Sequence, residues 1–434
     1  MMKKLFLSLI VVAGAFVSCD KESGFNGAII DPTDPVEIAV EGGTVRVAVK
    51  TDAAYTVEIP TADRSWLSVT ATHKNALTFK VAANPLTIYR YSTVNLKDAG
   101  GSVVQSILFA QKAAGNTKTV HVATAGTLKD YLTVDEIYKL KGLKLTGKLN
   151  ESDYGVIGGM RDLESLDLAE IDNTTMPASC FTHTILKTVI LPLNLTAIPD
   201  SAFEGSDITS IAIPSTVVSI GDFAFSGSQL TSIAIPSSVV SIGHFAFNNC
   251  EKLETFYPMG NEASPGELII PNSVTSIGYY AFQNCSSFES LTIGSGLTEI
   301  PQEAFRYCRF KGDLIIPDGI TEIGCGAFLS CSGFYETQDN ILVLGESIVS
   351  IGVLAFADYY QGCLFDKVYC RSLSVPECFF DGFYHSHSPF SSLEYEYNPK
   401  YLGVPHGCKE AYASAEGWKD FQIIEEVDFL NINY

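Results

Sequence analysis

Eleven cysteines and a closely spaced pair of histidines are the residues of this 434-residue chain that could hold a metal or carry redox chemistry. His385-Ser386-His387 would set two imidazoles on one side of an extended strand, with Asp381 nearby as a third ligand. The stretch is rich in Ser and Pro and holds no third ligand in fixed register, so it reads as a surface loop. Cys250, Cys285, Cys308 and Cys331 each follow a phenylalanine by three residues. A metal or redox centre needs ligands that converge, whereas one position of a stacked repeat forms a line, so these read as structural thiols. None of the cysteines forms a CxxC pair. Cys363, Cys370, Cys378 and Cys408 fall in irregular C-terminal sequence, where one disulfide could form and the spacing pairs none of them. No GxSxG, P-loop, HExxH or GxGxxG-plus-acid arrangement is present, so no catalytic residue, metal or cofactor is expected.

The elements that would position these residues come from a repeat. Ile (or Val, Met), Gly or Pro, two variable residues, a small residue and Phe recur nine times, ending on Phe181, Phe203, Phe225, Phe247, Phe282, Phe305, Phe328, Phe356 and Phe380. Successive steps are 22, 22, 22, 35, 23, 23, 28 and 24 residues, a unit of 22 or 23 with insertions. Apolar strands closed by proline recur between them, as in Ile211-Ala212-Ile213-Pro214 and Leu268-Ile269-Ile270-Pro271. Proline has no N–H for a ladder, so it ends the strand. Gly and Pro interchange after the Ile because both fit φ near −65°, and Pro favours the first position of a helical turn. The pattern predicts a mainly β solenoid of short strands and short helical turns, with the phenylalanines in one interior column.

Period-two alternation turns Ser210, Ala212, Ser232, Ala234, Ser290, Thr292, Asp313 and Ile315 away from that interior. They make a wide strip of small, nearly uncharged residues, which suits an extracellular protein or a polysaccharide better than a small metabolite, for which a concave pocket is wanted. The aromatics Phe379, Phe380, Phe383, Tyr384, Phe390, Tyr395, Tyr397 and Tyr401 could make a second contact area, but a terminal cap must bury the last coil, and the cap is the preferred reading.

The unit resembles the leucine-rich repeat of the BspA-like bacterial surface family, most fully in Ile270-Pro271-Asn272-Ser273-Val274-Thr275-Ser276-Ile277-Gly278-Tyr279-Tyr280-Ala281-Phe282-Gln283-Asn284-Cys285. The likeness covers about residues 143–426, including Leu143–Leu168 and Val404–Trp418 as the two ends. It implies adhesion to host or matrix proteins and no conserved catalytic site. Residues 37–113 change texture to separate β-runs, which read as a small immunoglobulin-like β-sandwich. There Gly42-Gly43, Ser65-Trp66-Leu67-Ser68-Val69, Asn84, Arg90 and Phe109-Ala110-Gln111 resemble a BACON domain, a module of exported Bacteroidetes lipoproteins named for suspected carbohydrate binding. Trp66 could stack on a sugar, but one Trp in so small a sandwich more often fills its core. Residues 114–142 read as a linker and N-terminal cap, with Leu128 to Leu140 helical, and 427–434 as a tail.

The N-terminus carries Lys3 and Lys4, then an apolar run from Leu5 to Val17 that is too short to span a bilayer as a helix. Val17-Ser18-Cys19 resembles a lipoprotein cleavage site, which implies a signal peptide over 1–18, lipid on Cys19 and a flexible tether over 19–36. The expected location is the bacterial outer membrane or cell surface, with the lipid as the one membrane contact. A net charge of −21 makes nucleic acid an unsuitable partner, because a phosphate backbone is held by clustered Lys and Arg.

Overall fold

The computed structural model describes residues 29–30, 36–50, 54–60, 63–73, 75–84, 90–101, 103–112, 116–261, 264–336, 340–358, 362–379, 388–390 and 399–429. They fall into two compact units, one running to Thr174 with Ile185–Leu195, the other made of Thr175–Thr184 and the chain from Thr196 onward.

The first unit opens with two four-stranded sheets. One is ordered Ile29–Ile30, Gly43–Ala48, Ala76–Val81, Leu67–His73, and the other Val36–Ile38, Val103–Gln111, Arg90–Lys97, Thr56–Glu58. Alternate residues of both sheets meet in one core that includes Val47, Leu77, Phe79, Leu96, Ile107 and Phe109, with the Phe79 and Phe109 rings 4.7 Å apart. This is a small β-sandwich. Trp66 belongs to that core at 8% exposure, donates to Asp63 Oδ1 at 3.3 Å, and carries the Arg90 guanidinium 4.3 Å over its ring.

A parallel ladder follows in the same unit: Thr117–Val122, Gly142–Gly147, Ser165–Ile171 and Thr188–Ile190. It therefore reaches back to Thr117, inside the stretch read as linker and cap. The expected helical segment is a 3₁₀ turn, Leu128–Tyr131, and an α-helix, Val134–Lys139, started by a capping box between Thr133 and Glu136. Lys144 ties the sandwich to this ladder. Its amine lies 2.7 Å from Glu170, 3.0 Å from Glu37 of the sandwich and 3.9 Å from Asp167. Burial opposes the charge on Lys144, but these carboxylates outweigh it and raise its pKa. Three carboxylates share one cation, and burial pushes Asp167 up to about 6.

The second unit is a solenoid. On one side lie the parallel strands Ser210–Ala212, Ser232–Ile235, Thr255–Pro258, Glu267–Ile269 and Ser290–Thr292. Further along come Leu314–Ile315, Ile341–Leu344, Lys367–Cys370, Tyr401–Val404 and Ile423–Glu426. A second ladder, not foreseen, uses strands of two or three residues: Ala197–Ile198, Ser219–Ile220, Ser241–Ile242 and Ser276–Ile277, then Glu299–Ile300, Glu322–Ile323, Ser350–Gly352 and Glu377–Phe379. The 35-residue step arises because Thr255–Pro258 is an extra strand of the first ladder without a turn segment of its own. Its Phe256 sets a ring edge against both Phe247 and Phe282, at 5.2 and 5.1 Å.

Phe181, Phe203, Phe225, Phe247, Phe282, Phe305, Phe328 and Phe356 line up in one buried column with ring separations of 5.3 to 5.7 Å. Phe390 takes the next place, 5.8 Å from Phe356, while Phe380 lies outside the described residues. The turn segment that carries the Phe is a run of i→i−3 turns. In one coil Ala202, Glu204 and Ser206 donate back to Pro199, Ser201 and Phe203, while Ser201, Phe203 and Gly205 donate to Asp222, Ala224 and Ser226 of the next coil. Alternate N–H groups thus close the turn and join the coils. The geometry needs left-handed backbone two residues before the Phe, as at Ser179, Ser201, Phe223, Phe245 and Tyr280. The glycines after the Ile have another cause than their φ: a Cβ on Gly278, Gly324 or Gly352 would lie 2.3 Å from a backbone nitrogen of the coil before.

Two outcomes follow. Phe225→Ala leaves a cavity inside the column and should lower the unfolding free energy in urea titrations by about 3–5 kcal/mol. Asp167 is raised from 3.8 to about 6 in the fold, so the native state binds the extra proton and stability falls as pH rises through that window. Asp167→Asn removes this part of the dependence, so between about pH 4 and 7 the natural chain should lose on the order of 2 kcal/mol more than the variant; parallel pH profiles of melting would refute the assignment.

Candidate functional site

The outward side of the first ladder is where the expected contact residues lie. Ser210, Ala212, Ser290 and Thr292 are exposed, and Ser232 and Ala234 are half-exposed. Register places Ser210 beside Ser232, Ser232 beside Thr255, Thr255 beside Glu267 and Glu267 beside Ser290. Ala234 pairs with Tyr257, and Ile269 with Thr292. The strip is continuous, but two strands stand between Ala234 and Thr292: Thr255–Pro258, which was not foreseen, and Glu267–Ile269, which was read as a strand but whose outward residues were not counted in the strip. They bring in Tyr257, Ile269 and one carboxylate, Glu267. The signal was present in Thr255-Phe256-Tyr257-Pro258, which has the same alternation and closing proline but no repeat phenylalanine after it.

Asp313 and Ile315 lie further along, in the ladder of Leu314–Ile315. Ile315 is 54% exposed, whereas the Asp313 carboxylate accepts the Ile341 N–H at 2.8 Å and holds the start of the next strand. In that ladder Ile315 pairs with Val343 and Val343 with Tyr369. Tyr369 packs on Tyr401 and leans over Gly403, where a Cβ would lie 2.5 Å from its ring.

A second outward feature, missed at the sequence level, crosses the two-residue strands as a groove of about 400 Å³ lined by Ser219, Ser241, Ser276, Asp222, His244 and Tyr279 among others. Its wall is self-stapled. Asp200 Oδ1 accepts the Asp222 N–H, Asp222 Oδ1 the His244 N–H, and His244 Nδ1 the Tyr279 N–H, at 2.9, 2.7 and 2.9 Å. The recurrence Ser-Ile-Gly followed by Asp, His or Tyr carried the signal.

The cysteine ladder is structural in its geometry. Cys250, Cys285, Cys308 and Cys331 are fully buried, and their thiols donate to the carbonyls of Phe225, Phe247, Phe282 and Phe305 in the preceding coil at 3.1 to 3.2 Å. Burial pushes Cys250 up to about 11 and raises the other three, which keeps them as unreactive thiols. Cys363, Cys370, Cys378 and Cys408 are all free thiols, with Cys370 3.3 Å from the Tyr412 hydroxyl and Cys408 donating to Leu373 O. Among the described residues no group of three His, Cys, Asp or Glu is placed to hold a metal ion, and His385, His387 and Asp381 lie outside them.

Of the C-terminal aromatics, Phe390 closes the column. It packs 5.3 Å from Trp418 and 5.1 Å from Phe421, and Trp418 Nε1 donates to Pro376 O at 2.9 Å. Phe380, Phe383, Tyr384, Tyr395 and Tyr397 lie outside the described residues, as does Cys19. No helix among the described residues is long and apolar enough to cross a membrane.

Residues 174–267 and 261–361 match the family model described as BspA type Leucine rich repeat region, in six copies. The coils between residues 174 and 361 are thus similar to BspA-type leucine-rich repeats. No curated protein matches the chain. Solved structures similar to it are themselves bacterial leucine-rich-repeat proteins. One from Bacteroides ovatus is 15% identical, with 84% of this chain and 98% of that one covered at a TM-score of 0.37. Another, from Eubacterium ventriosum, is 15% identical over 78% and 93% of the two chains, with a TM-score of 0.35. A leucine rich cell surface protein from Faecalibacterium prausnitzii is 18% identical over 60% and 88%, with a TM-score of 0.26.

In this leucine-rich-repeat solenoid the thiols report on coil integrity. Iodoacetamide should leave Cys250, Cys285, Cys308 and Cys331 unmodified in the native protein and alkylate them in guanidinium chloride, as read by peptide mass spectrometry; native alkylation of Cys285 at the rate of a free thiol would contradict the ladder.

Proposed function

We propose that this chain is a bacterial cell-surface lipoprotein that binds an extracellular or host protein through the outward strand side of its solenoid. The observation that carries this reading is the register of Ser210, Ser232, Thr255, Glu267 and Ser290 with Ala212, Ala234, Tyr257, Ile269 and Thr292, a broad side with one carboxylate among small and apolar groups. Its backbone N–H and C=O groups are engaged in the parallel ladder, so a partner is read through side chains over an area, which is the mode of a protein interface. Lys3, Lys4 and the run ending at Cys19 support export and lipid attachment, with the sandwich as the spacer above the membrane.

The other reading, a glycan held by the sandwich or the C-terminal aromatics, draws less support. The Trp66 ring is buried under Arg90, and Phe390 is taken up in closing the column. The absence of a recognised catalytic constellation in the sequence favours a binding role over an enzyme.

The test is capture from host secretions by the full mature chain, followed by affinity measurement with Ala234→Arg and Thr292→Arg. A bulky cation on either half of the strip should weaken the captured partner by about tenfold or more while melting is unchanged; equal affinity in both variants would move the contact away from this side.

A further inference from the structure

We infer that the joint between the sandwich and the parallel ladder is a pH-operated clasp, which holds the sandwich against the ladder in mildly acid medium and lets it swing away at neutral pH and above. The joint is made of charge. Glu37 belongs to the sandwich strand Val36–Ile38, Lys144 to the ladder strand Gly142–Gly147, and Asp167 and Glu170 to the next strand, Ser165–Ile171. One amine meets all three carboxylates, at 3.0 Å for Glu37, 3.9 Å for Asp167 and 2.7 Å for Glu170. With all four groups ionised two negative charges stand uncompensated, and withdrawal from water strengthens their repulsion. That withdrawal is pronounced. Alternation puts Lys144 and Asp167 on the outward side of the ladder, where Ser210 and Ala212 of later coils are exposed, yet they are only 9% and 3% exposed.

Asp167 is the group that takes up the proton. Its Oδ1 accepts the Ala169 N–H at 3.0 Å, and its other oxygen stands at the longest of the three distances from the amine. Burial, to which the charges of Glu170 and Glu37 add, pushes it up to about 6 against the pull of Lys144. Protonated Asp167 removes one of the two excess charges and leaves Lys144 in close pairs with Glu37 and Glu170. Once the proton is lost, the new anion repels both. Glu170 shares its strand and stays. Glu37 is 34% exposed and is carried by a separate core, so it is the partner that can leave. Three small residues, Ala113-Ala114-Gly115, separate Lys112, whose N–H is held by Ile38 O, from Asn116, whose carbonyl accepts from Lys141.

The sign follows from linkage. Swinging away returns Asp167 to water and toward 3.8, so the closed form binds the proton more tightly, and closure is favoured in acid and lost as pH rises through about 6. The neighbouring elements bring no competing switch into the cluster. Ile190 and Ala110, the register partners of Asp167 and Glu37, carry no charge. Lys118 is turned to Glu136 at 2.8 Å. His121 is exposed and stands one pair further along the ladder, with Nδ1 2.8 Å from the Thr146 hydroxyl, and Thr146 in turn pairs with Glu170.

The experiment is small-angle X-ray scattering of the full mature chain at about pH 5 and about pH 7.5, with circular dichroism at each pH to show that the β-structure is intact; the closing constant should fall roughly tenfold between the two, read as a rise in radius of gyration. Asp167→Asn is neutral at both and should stay compact at both. Glu37→Ala removes the sandwich's half of the clasp without touching either core, and should be extended at both. His121→Gln should keep the response of the natural chain. The proposal is overturned if the natural chain has one radius at the two pH values, if its rise comes with loss of β-structure, if Asp167→Asn still expands, if Glu37→Ala still passes from compact to extended, or if His121→Gln abolishes the change.

Discussion

The distance at which one coil lies against the next governs the rest of this structure. In every turn segment alternate N–H groups reach across to carbonyls of the neighbouring coil, as from Phe203 to Ala224 and from Phe225 to Ala246. Those bonds hold only if nothing larger than hydrogen stands at Gly221, Gly243, Gly278, Gly324 and Gly352, and if the residue before each Phe stays small. The stacked phenylalanines are both the result of that approach and the apolar burial that sustains it. No coil has an interior of its own, so each depends on its two neighbours.

From the same constraint comes the division of labour among polar side chains. Where the coil offers a carbonyl to its interior, a thiol at the next level donates to it, which gives the cysteines a place without giving them chemistry. Where the coil offers an N–H to the outside, Asp200, Asp222, His244 and Asp313 accept it. These side chains look like candidate ligand residues on a surface map, yet each has a structural bond to make first. What remains open to a partner is the second oxygen, the second nitrogen, and the hydroxyls between.

Much of this was legible in the sequence, because the interior Phe recurs at a spacing that local chemistry alone enforces. Phe181 to Phe356 were readable as a column, and the alternating strands told which of Ile211 and Ala212 faces in. The same reading missed the strand at Thr255–Pro258, since it was anchored on the Phe and that strand has none. It also gave the glycines after Ile a dihedral reason, whereas their reason is a neighbour 21 or more residues away, in the coil before. Lys144 is a similar case: Glu37 lies 107 residues before it, and only the fold brings the two within 3.0 Å. The groove was missed because Ser, Asp and His in one repeat look like solvated turn residues until the coils are stacked.

The C-terminal closure has a further consequence. A stack of parallel coils is in principle open-ended, and its last strand could template another chain as readily as its own next repeat. Here Trp418 and Phe421 cover the end of the aromatic column at Phe390, and the final described strand, Ile423–Glu426, turns Glu425 and Glu426 toward solvent. The aromatic column is thus closed by its own chain and the strand beyond it carries charge, so a repeat architecture that shares its ladder geometry with fibrils is kept from becoming one.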